Sequence, residues 1–388
     1  MMGTTTHLPK LRFPNFERDW SEIKLEDLAI YRRGSFPQPY GLKKWYNDEN
    51  GTPFVQVYDV DENMRLKDST KRKISKLAKE NSVFVPKGSV LLTIQGSIGR
   101  VAITQYDAYV DRTLLIFQEF KIAVNKYFLI HSLKLLFEFE RRKAPGGTIK
   151  TITKERLNKF KITIPELDEQ IKIGSFYETV DKWIQNLKSQ KEELEKYKKG
   201  MMQKIFSQEI RFKDDGGSDY PDWQEILLGK IAYITTGSSN RVDSTLQGDY
   251  TFFDRSMDIR ASSKYLFDTE AIIVAGEGQE FYPKHFKGKF DLHQRTYAIM
   301  NFKNSSGLFL FYYITYKRKY FNKMAVGTTV PSLRLPMFNK MPVSLPTLDE
   351  QEAIAHFFAS LDYLLVLKQQ QIDGAERWKK GLMQKMFV

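Results

Sequence analysis

The sequence predicts an α/β (α+β) protein with a pseudo-two-fold internal repeat, in which two globular domains are joined by two long antiparallel helices forming a coiled coil. Two observations predict this fold class. The segment 164–206 recurs without a gap as the segment 345–387. Each copy follows a longer stretch that mixes strand-like and helix-like runs. A globular domain followed by a long helix therefore occurs twice.

The repeated segment has the features of one continuous helix. Both copies open with P-x-L-x-E-Q, where Asp168 or Asp349 stands at the expected cap position, and both close with KKG-x-MQK-x-F. Between these ends, apolar residues recur three, four or seven positions apart, the spacing of a helix-pairing seam. The predicted helix-pairing residues are Phe176, Val180, Trp183, Leu187, Phe358, Leu361 and Leu365.

Pairing the two helices with each other would bury both apolar stripes. At roughly 1.5 Å per residue, about forty residues give a helix on the order of 60 Å long. The alternative is that each helix packs into a separate bundle within its own domain. The duplicated basic segments, Lys198-Lys199-Gly200 and Lys379-Lys380-Gly381, favour equivalent places in one two-fold arrangement.

The duplication extends to the residues that lead into each domain. Residues 11–14 and Asp19-Trp20 are matched by 210–212 and Asp222-Trp223. However, 145 positions separate Trp20 from Pro165 and only 123 separate Trp223 from Pro346, a difference of 22, so one scaffold presents two different domains. The predicted divisions are a first globular domain at 1–164, a central helix at 165–208, a second globular domain at 209–345 and a C-terminal helix at 346–388.

Composition limits the class of protein. The 41% hydrophobic content is ample for ordinary cores, and the lack of cysteine excludes disulfides and thiolate zinc sites. No apolar run long enough to span a membrane and no signal-like N-terminus occur, which fits a cytosolic protein. The net charge of +13 favours a polyanionic partner, although ribosomal and membrane-surface proteins share this property.

The first domain is predicted to combine short strands with a helix over 125–142. The strand-like runs lie at 53–60, 89–94, 100–104 and 114–117. Between two of them, Gln95-Gly96-Ser97-Ile98-Gly99 forms a tight glycine turn. A phosphate-binding loop needs a following helix, whereas the β-rich Val101-Ala102-Ile103 follows here, which argues against nucleotide binding.

In both halves, a basic helix end and a glycine-containing turn precede the long helix. Arg141-Arg142-Lys143 precedes Gly146-Gly147-Thr148, and Lys317-Arg318-Lys319 precedes Gly327-Thr328-Thr329. These residues either bind phosphates or form a solvated helix end followed by a plain loop, and both interpretations stay open.

The second domain carries polar loops of a different sequence. The loop 235–241 is rich in donors and acceptors suited to base edges or phosphates. Arg255 and Arg260 flank another polar turn, and the turn 275–279 precedes the basic run 284–289. His285, Asp291 and His293 match no standard metal-ligand spacing, so no metal site is predicted.

Catalytic motifs are missing from the sequence. It contains no GxxxxGK followed by Ser or Thr, no DPPY or NPPY tetrapeptide, no nucleophile elbow and no recognisable nuclease carboxylate pattern. The lack of these motifs favours a non-enzymatic protein that recognises a target and positions other proteins on it.

Together these motifs resemble the specificity (S) subunit of Type I restriction-modification systems. The resemblance rests on the two variable domains, each followed by a helix that opens with P-x-L-x-E-Q and closes with KKG-x-MQK-x-F. The LRFP-x-F lead-in, the GSIG turn at 96–99 and the GKFDLHQR run at 288–295 look like that family's target recognition domains. The resemblance covers residues 11–387.

The resemblance implies DNA sequence recognition without catalysis. Each domain would read one half of an asymmetric, bipartite site in double-stranded DNA, and the helix pair would set the unread spacer. Two modification subunits carrying S-adenosylmethionine and two ATP-driven restriction subunits would join the chain in the bacterial cytoplasm. The chain itself would hold no cofactor and no metal, and no membrane would be involved.

The residues expected to contact DNA are polar or basic residues of loops and helix ends. They are Arg32, Arg33, Ser35, Gln95, Ser97, Arg112, Arg141 and Arg142 in the first domain, and Ser238, Ser239, Asn240, Arg241, Arg255, Gln279, Arg295, Lys317 and Arg318 in the second. Two other classes of function are retained: a coiled-coil structural adaptor, and a self-sufficient DNA-modifying enzyme with an unrecognised active site.

Overall fold

The computed structural model describes residues 8–143, 152–256 and 258–387. The turn predicted at 144–150 lies outside these residues. The chain forms two compact units, a first unit of Met1–Leu187 with Gln371–Val388 and a second unit of Lys188–Gln370. Each unit thus combines one globular domain with the beginning of one long helix and the end of the other.

The described elements are mostly short, apart from two long helices. The helices are α1 Leu25–Leu28, α2 Lys76–Lys79, α3 Lys126–Lys143, α4 Lys154–Asn158, α5 Leu167–Phe206, α6 Leu228–Ile231, α7 Gly307–Tyr316, α8 Lys319–Met324, α9 Leu335–Asn339 and α10 Leu348–Met386. None of the described helices combines the length and the apolar content needed to span a bilayer.

The strands alternate with these helices along the chain. They are β1 Ser21–Lys24, β2 Ala29–Arg33, β3 Thr52–Val55, β4 Arg72–Ile74, β5 Val83–Val85, β6 Val90–Thr93, β7 Val101–Ile103, β8 Ala108–Val110, β9 Leu114–Phe120, β10 Lys161–Ile164, β11 Gln224–Leu227, β12 Tyr233–Thr236, β13 Tyr250–Phe253, β14 Arg260–Ser262, β15 Phe267–Ala275, β16 Lys284–Leu292, β17 Thr296–Met300 and β18 Pro342–Leu345.

The globular part of the first unit contains two four-stranded sheets. Their strand orders are β2-β9-β6-β7 and β4-β3-β8-β5. Alternate side chains of a strand point to opposite faces, so Leu91 and Ile116 of one sheet share a core with Val55 and Val110 of the other. The opposite face of the first sheet, including Leu92 and Leu115, packs against α3 and the beginning of α5.

The second unit has a single six-stranded sheet of order β12-β17-β15-β16-β13-β14. One face, including Ile272 and Val274, packs against α7, the beginning of α10 and the end of α5. In both units, the strand that leads into the domain pairs antiparallel with the strand that leaves it. Ser21 lies opposite Ile164, and Gln224 lies opposite Leu345.

The two domains differ chiefly in where their strands break. In the second unit, β15 and β16 pair continuously from Phe267 to Ile273. In the first unit, the corresponding hairpin is interrupted after β5, where Pro86 lacks an amide donor and Gly88 has a φ of 85°. One continuous sheet in the second unit therefore corresponds to two sheets in the first.

The long helices pair antiparallel within each unit. In the first unit, Val180, Ile184 and Leu187 of α5 pack against Ile372 and Ala375 of α10. In the second unit, Phe206 near the end of α5 stacks on Phe358 near the beginning of α10, with ring centroids 5.7 Å apart. The predicted fold class is thus confirmed, and the two helices do not pack into separate bundles.

The duplicated end motifs explain this pairing. The first lysine of each KKG segment forms an ion pair with an aspartate of the other helix, Lys379 with Asp181 and Lys198 with Asp362. The glutamate of each P-x-L-x-E-Q motif is buried and accepts hydrogen bonds from the arginine of the lead-in segment. Arg12 lies 2.7 Å from Glu169, and Arg211 lies 2.7 Å from Glu350.

Two details of the predicted helices are wrong. Trp183 is 49% exposed and touches Trp378 edge-on, because Ile184, four residues after Val180, occupies the seam instead. Asp168 and Asp349 are not caps, since the helices begin one residue earlier and place both aspartates in the first turn. There they still complement the positive end of the helix dipole. Leu365 is half-buried.

Candidate nucleic-acid interface

The predicted contact residues lie on loops that occupy matching places in the two units. Backbone hydrogen bonds define the match. Asp111 N donates to Val55 O at 3.0 Å, as His293 N donates to Phe253 O at 2.9 Å. Ile94 N donates to Thr113 O at 3.0 Å, as Gly276 N donates to Arg295 O at 2.9 Å. By this register Arg112 corresponds to Gln294, and Gln95 corresponds to Glu277.

A glycine brings a further loop onto the same strand ends in both units. A Cβ added to Gly34 would overlap the carbonyl oxygen of Val110, and one added to Gly237 would overlap that of Leu292. Glycine is therefore required at these close approaches of one backbone to another. As a result, the loop after β2 lies beside the loop after β8, and the loop after β12 lies beside the loop after β16.

The turn that carries Gln95 and Ser97 is fixed against α3. Gly99 has a φ of 83°, and an added Cβ would lie 2.6 Å from Cβ of Phe137. Arg141 Nη2 donates to Ile98 O at 2.9 Å. Arg141 therefore has a structural contact at the turn, although it is exposed like Arg142 and Ser97.

Arg112 lies in a cluster of tyrosine and amide side chains. Its guanidinium lies 5.5 Å from the ring centroid of Tyr40. The Tyr40 hydroxyl donates to Asp111 Oδ2 at 2.7 Å and accepts from Gln56 Nε2 at 2.6 Å. Burial, with the bond to Asp111, raises the pKa of Tyr40, and burial raises the pKa of Tyr58 to about 12. Both hydroxyls therefore stay neutral at physiological pH.

Basic side chains stacked on aromatic rings extend this surface. Arg72 lies 3.8 Å from the ring centroid of Tyr46, and Lys71 lies 5.1 Å from that of Tyr58. Stacking of this kind orients a cation, and Arg72 also pairs with Asp48 at 3.1 Å. The sequence interpretation missed these residues, because Gln56 and Tyr58 fell in a run taken as a strand and residues 71–72 carried no motif.

Arg32 and Arg33 end strand β2 and are exposed. They line a cavity of about 210 Å³ together with Thr153 and Lys154 at the beginning of α4. Ser35 follows in the next loop and donates from Oγ to Asn81 O at 2.8 Å. Apart from Arg141 and Arg142 at the end of α3, the predicted residues of the first unit thus lie at or just after the ends of β2, β6 and β8.

Ser239 is a structural residue in the second unit, which corrects the prediction of a DNA contact. Its side chain is buried and donates from Oγ to Asp291 Oδ1 at 2.7 Å. Ser262 Oγ donates to the other carboxylate oxygen of Asp291 at 2.8 Å. The buried carboxylate needs these donors, so Ser239 is unavailable to DNA. Ser238 is exposed beside it.

Asn240 and Arg241 are held by polar neighbours but remain accessible. Asn240 Oδ1 accepts from Gln294 Nε2 at 2.6 Å, and Arg241 Nη1 lies 2.6 Å from Asp254 Oδ2. Burial alone would raise the pKa of Asp254, but hydrogen bonds from Ser256 and the charge of Arg241 lower it below its ordinary value. Asp254 is therefore ionised at neutral pH and anchors the loop.

Arg255, Gln279 and Arg295 surround the turn after β15. Arg255 and Arg295 both pair with Glu277, and Gln279 is exposed. Arg318 pairs with Glu280 of the same turn at 3.2 Å. Lys317 lies 5.3 Å from the ring centroid of Tyr316. The structure thus brings these basic residues to the end of the sheet that also carries Asn240 and Arg241.

The histidines of this region do not form a metal centre. His285 Nε2 lies 2.7 Å from Glu270 Oε1, and burial lowers the pKa of His293. Over the part of the chain that the structure describes, no group of three or more potential ligands could hold a metal ion.

Comparisons with known proteins match both halves of the chain. The family model of the Type I restriction modification DNA specificity domain matches residues 17–196 and 220–377. The MjaVIII specificity subunit, a Type I restriction enzyme component of Methanocaldococcus jannaschii, is 24% identical over 409 residues, covering 96% of this chain and 92% of the relative. The EcoDI specificity subunit of Escherichia coli is 31% identical over 144 residues, covering 37% and 31%.

A solved structure supports the same fold. The S subunit of a Type-I restriction-modification system from M. genitalium superposes with a TM-score of 0.66 at 17% identity. The superposition covers 98% of this chain and 99% of that subunit.

Proposed function

Because the chain belongs to the Type I restriction-modification DNA specificity family, we propose that each of its two units reads one half of an asymmetric, bipartite site in double-stranded DNA. The role of the chain is DNA sequence recognition rather than catalysis. One observation carries the proposal: a shared strand frame presents unlike side chains at matching loop positions. Gln95 and Arg112 of the first unit stand where Glu277 and Gln294 stand in the second, so unlike half-sites are expected.

The charges and donors of these loops suit the two parts of DNA recognition. Lysine and arginine contacts with phosphates give affinity that falls with salt, in keeping with the net charge of +13. Arginine, asparagine, glutamine and serine contacts with base edges provide discrimination of about 1–3 kcal/mol each. The matching loops are where such contacts converge in each unit.

We further propose that the paired helices set the length of the unread spacer. Both α5 and α10 contribute residues to both units. Inserting one helical turn into each, about 5.4 Å, should change the preferred spacer by one or two base pairs. Recognition of the unchanged spacer with undiminished affinity would argue against this role.

The proposed assembly supplies catalysis from other chains. Two modification subunits that carry S-adenosylmethionine and methylate adenine would bind this chain, and two ATP-driven restriction subunits would join them. In this proposal both cofactors belong to the partners, and the chain contributes only the choice of DNA site.

The decisive experiment maps methylated adenines in a host that expresses this chain with its modification subunit. The expected result is one asymmetric motif of two short half-sites separated by an unspecified spacer. Methylation without such a motif would refute the proposal. Purified chain incubated with DNA, a divalent metal and S-adenosylmethionine should show no turnover, which distinguishes it from a self-sufficient enzyme. Salt-dependent binding that distinguishes sequences would exclude a structural adaptor.

A further inference from the structure

The turn after β15 contains an arrangement that the first unit lacks. We propose that Glu277 is a positioning residue that holds Arg255 and Arg295 as a paired donor set for guanine in the half-site of the second unit. This inference rests on the proposed function, since it assigns a specificity determinant to the same DNA interface.

One carboxylate serves both arginines. Arg295 Nη1 lies 2.9 Å from Glu277 Oε1 and 3.1 Å from Oε2, and Arg255 Nη1 lies 3.5 Å from Oε2. The Glu277 side chain is only 18% exposed, whereas that of Arg295 is 61% exposed. The Glu277 carboxylate is therefore more buried than the two guanidinium groups, which face solvent.

The backbone around Glu277 and Arg295 is fixed. Gly276 N donates to Arg295 O at 2.9 Å, and Gly278 N donates to Pro331 O at 3.0 Å. Arg295 N donates to His293 Nδ1 at 3.0 Å. A Cβ added to Gly276 would lie 2.6 Å from Arg295 O, so the turn and the arginine-bearing loop are in direct contact. Arg295 thus projects from a backbone held by hydrogen bonds to the turn that carries Glu277.

The geometry leaves the recognition edge of Arg295 unused. Among the described residues, the side-chain hydrogen bonds of Arg295 go to Glu277 and use Nη1 alone. The edge formed by Nε and Nη2 can therefore address a pair of acceptors, and guanine O6 and N7 are the pair that arginine contacts in the major groove. Holding the side chain in place beforehand reduces the conformational entropy lost on binding.

The negative charge of Glu277 also opposes a non-specific contact. A phosphate placed against the arginine pair would be repelled by the nearby carboxylate, whereas the guanine edge carries no net charge and would meet much less repulsion. In the first unit the matching residues are Gln95, Val57 and Thr113, which cannot form this arrangement. The effect of changing Glu277 should therefore be confined to one half-site.

The test uses the complex of the full chain with its modification subunit and the site found by methylation mapping. Duplex libraries are randomised in one half-site at a time, and bound sequences are compared for the unchanged chain, Glu277→Gln and Arg295→Ala. Asp268→Asn, an exposed change at the other end of β15, removes the same charge and serves as the matched control.

Glu277→Gln should reduce the preference for guanine at one position of the second half-site by at least about fivefold, since a bidentate arginine contact is weakened. Arg255→Ala and Arg295→Ala should affect the same position, and adding Glu277→Gln to the variant that lacks both arginines should cause no further loss. Asp268→Asn should leave both half-site preferences unchanged.

Unchanged guanine preference in Glu277→Gln, or equal losses in both half-sites, would overturn the inference while leaving the proposed function intact. Absence of any sequence preference in the unchanged complex would instead overturn the proposed function. A further loss when Glu277→Gln is added to the variant that lacks both arginines would show that Glu277 acts independently of them and would also count against the inference.

Discussion

Replacing Arg12 with methionine should destabilise the first unit by about 3–5 kcal/mol, because it leaves a buried carboxylate without its partner. Arg12 donates from Nε and Nη2 to the two oxygens of Glu169, both at 2.7 Å, and the Glu169 side chain is 0% exposed. The hydrogen bond to Glu169 raises the pKa of Arg12 above its ordinary value, so the guanidinium stays charged.

Arg18→Met provides a matched control six residues along the chain. Arg18 pairs with Glu166 at 3.0 Å, but its side chain is 84% exposed. A pair so accessible to solvent contributes only about 0–1 kcal/mol. The same substitution should therefore have a large effect at one arginine and a small effect at the other.

Hydrogen exchange of peptides from α3 and the first half of α5, followed across a urea series, measures the free energy of opening of the first unit. Replacing both partners, Arg12→Met with Glu169→Leu, should restore part of the loss, since no charge then remains buried. Equal effects of Arg12→Met and Arg18→Met would refute the reasoning. A double variant as unstable as the sum of its single changes would refute it too.

Two further predictions concern the second unit and the helix pair. Asp254→Asn should destabilise the loop of Arg241 at pH 7. The pKa of Asp254 is lowered in the folded state, so the stabilisation that it provides is lost when it is protonated. The difference in unfolding free energy between the variant and the unchanged chain should therefore shrink as pH falls below about 4. Unfolding midpoints at several pH values measure this, and a difference independent of pH would contradict it. Leu187→Asp combined with Leu361→Asp should disrupt helix pairing in both units, since both leucines are buried, and normal assembly with partner subunits by size-exclusion chromatography would contradict this.

The helix ends were predictable from the sequence because they occur twice. A lead-in arginine occurs in both halves, and the glutamate and the KKG segment recur at identical spacing in two otherwise different halves. This repetition indicates a shared structural role, and the ion pairs of Glu169 and Glu350 show what that role is. It was harder to predict which residues of α5 face α10. Positions three and four residues after Val180 both carry large apolar side chains, and only packing against α10 decides that Ile184 is buried and Trp183 is exposed.

The loops were predictable in location but not in detail. A polar residue in a glycine-rich loop can face solvent or satisfy a buried group, and the sequence does not distinguish these cases. Ser239 is buried because Asp291, fifty-two positions away, needs a donor there. The aromatic and basic side chains around Tyr40 and Tyr46 come together only through the pairing of β3 with β4 and β8, which periodicity alone does not specify.

The ring of Phe387 lies in the core of the first unit, with its centroid 5.4 Å from that of Phe128 and 6.4 Å from that of Trp20. Phe387 is synthesised long after Trp20 and Phe128, so the first unit can complete this aromatic cluster only once α10 has been made. The segment 198–206, which carries the same KKG-x-MQK-x-F motif as 379–387, is synthesised earlier. The copy of the motif that packs in the second unit is therefore synthesised before the copy that packs in the first unit.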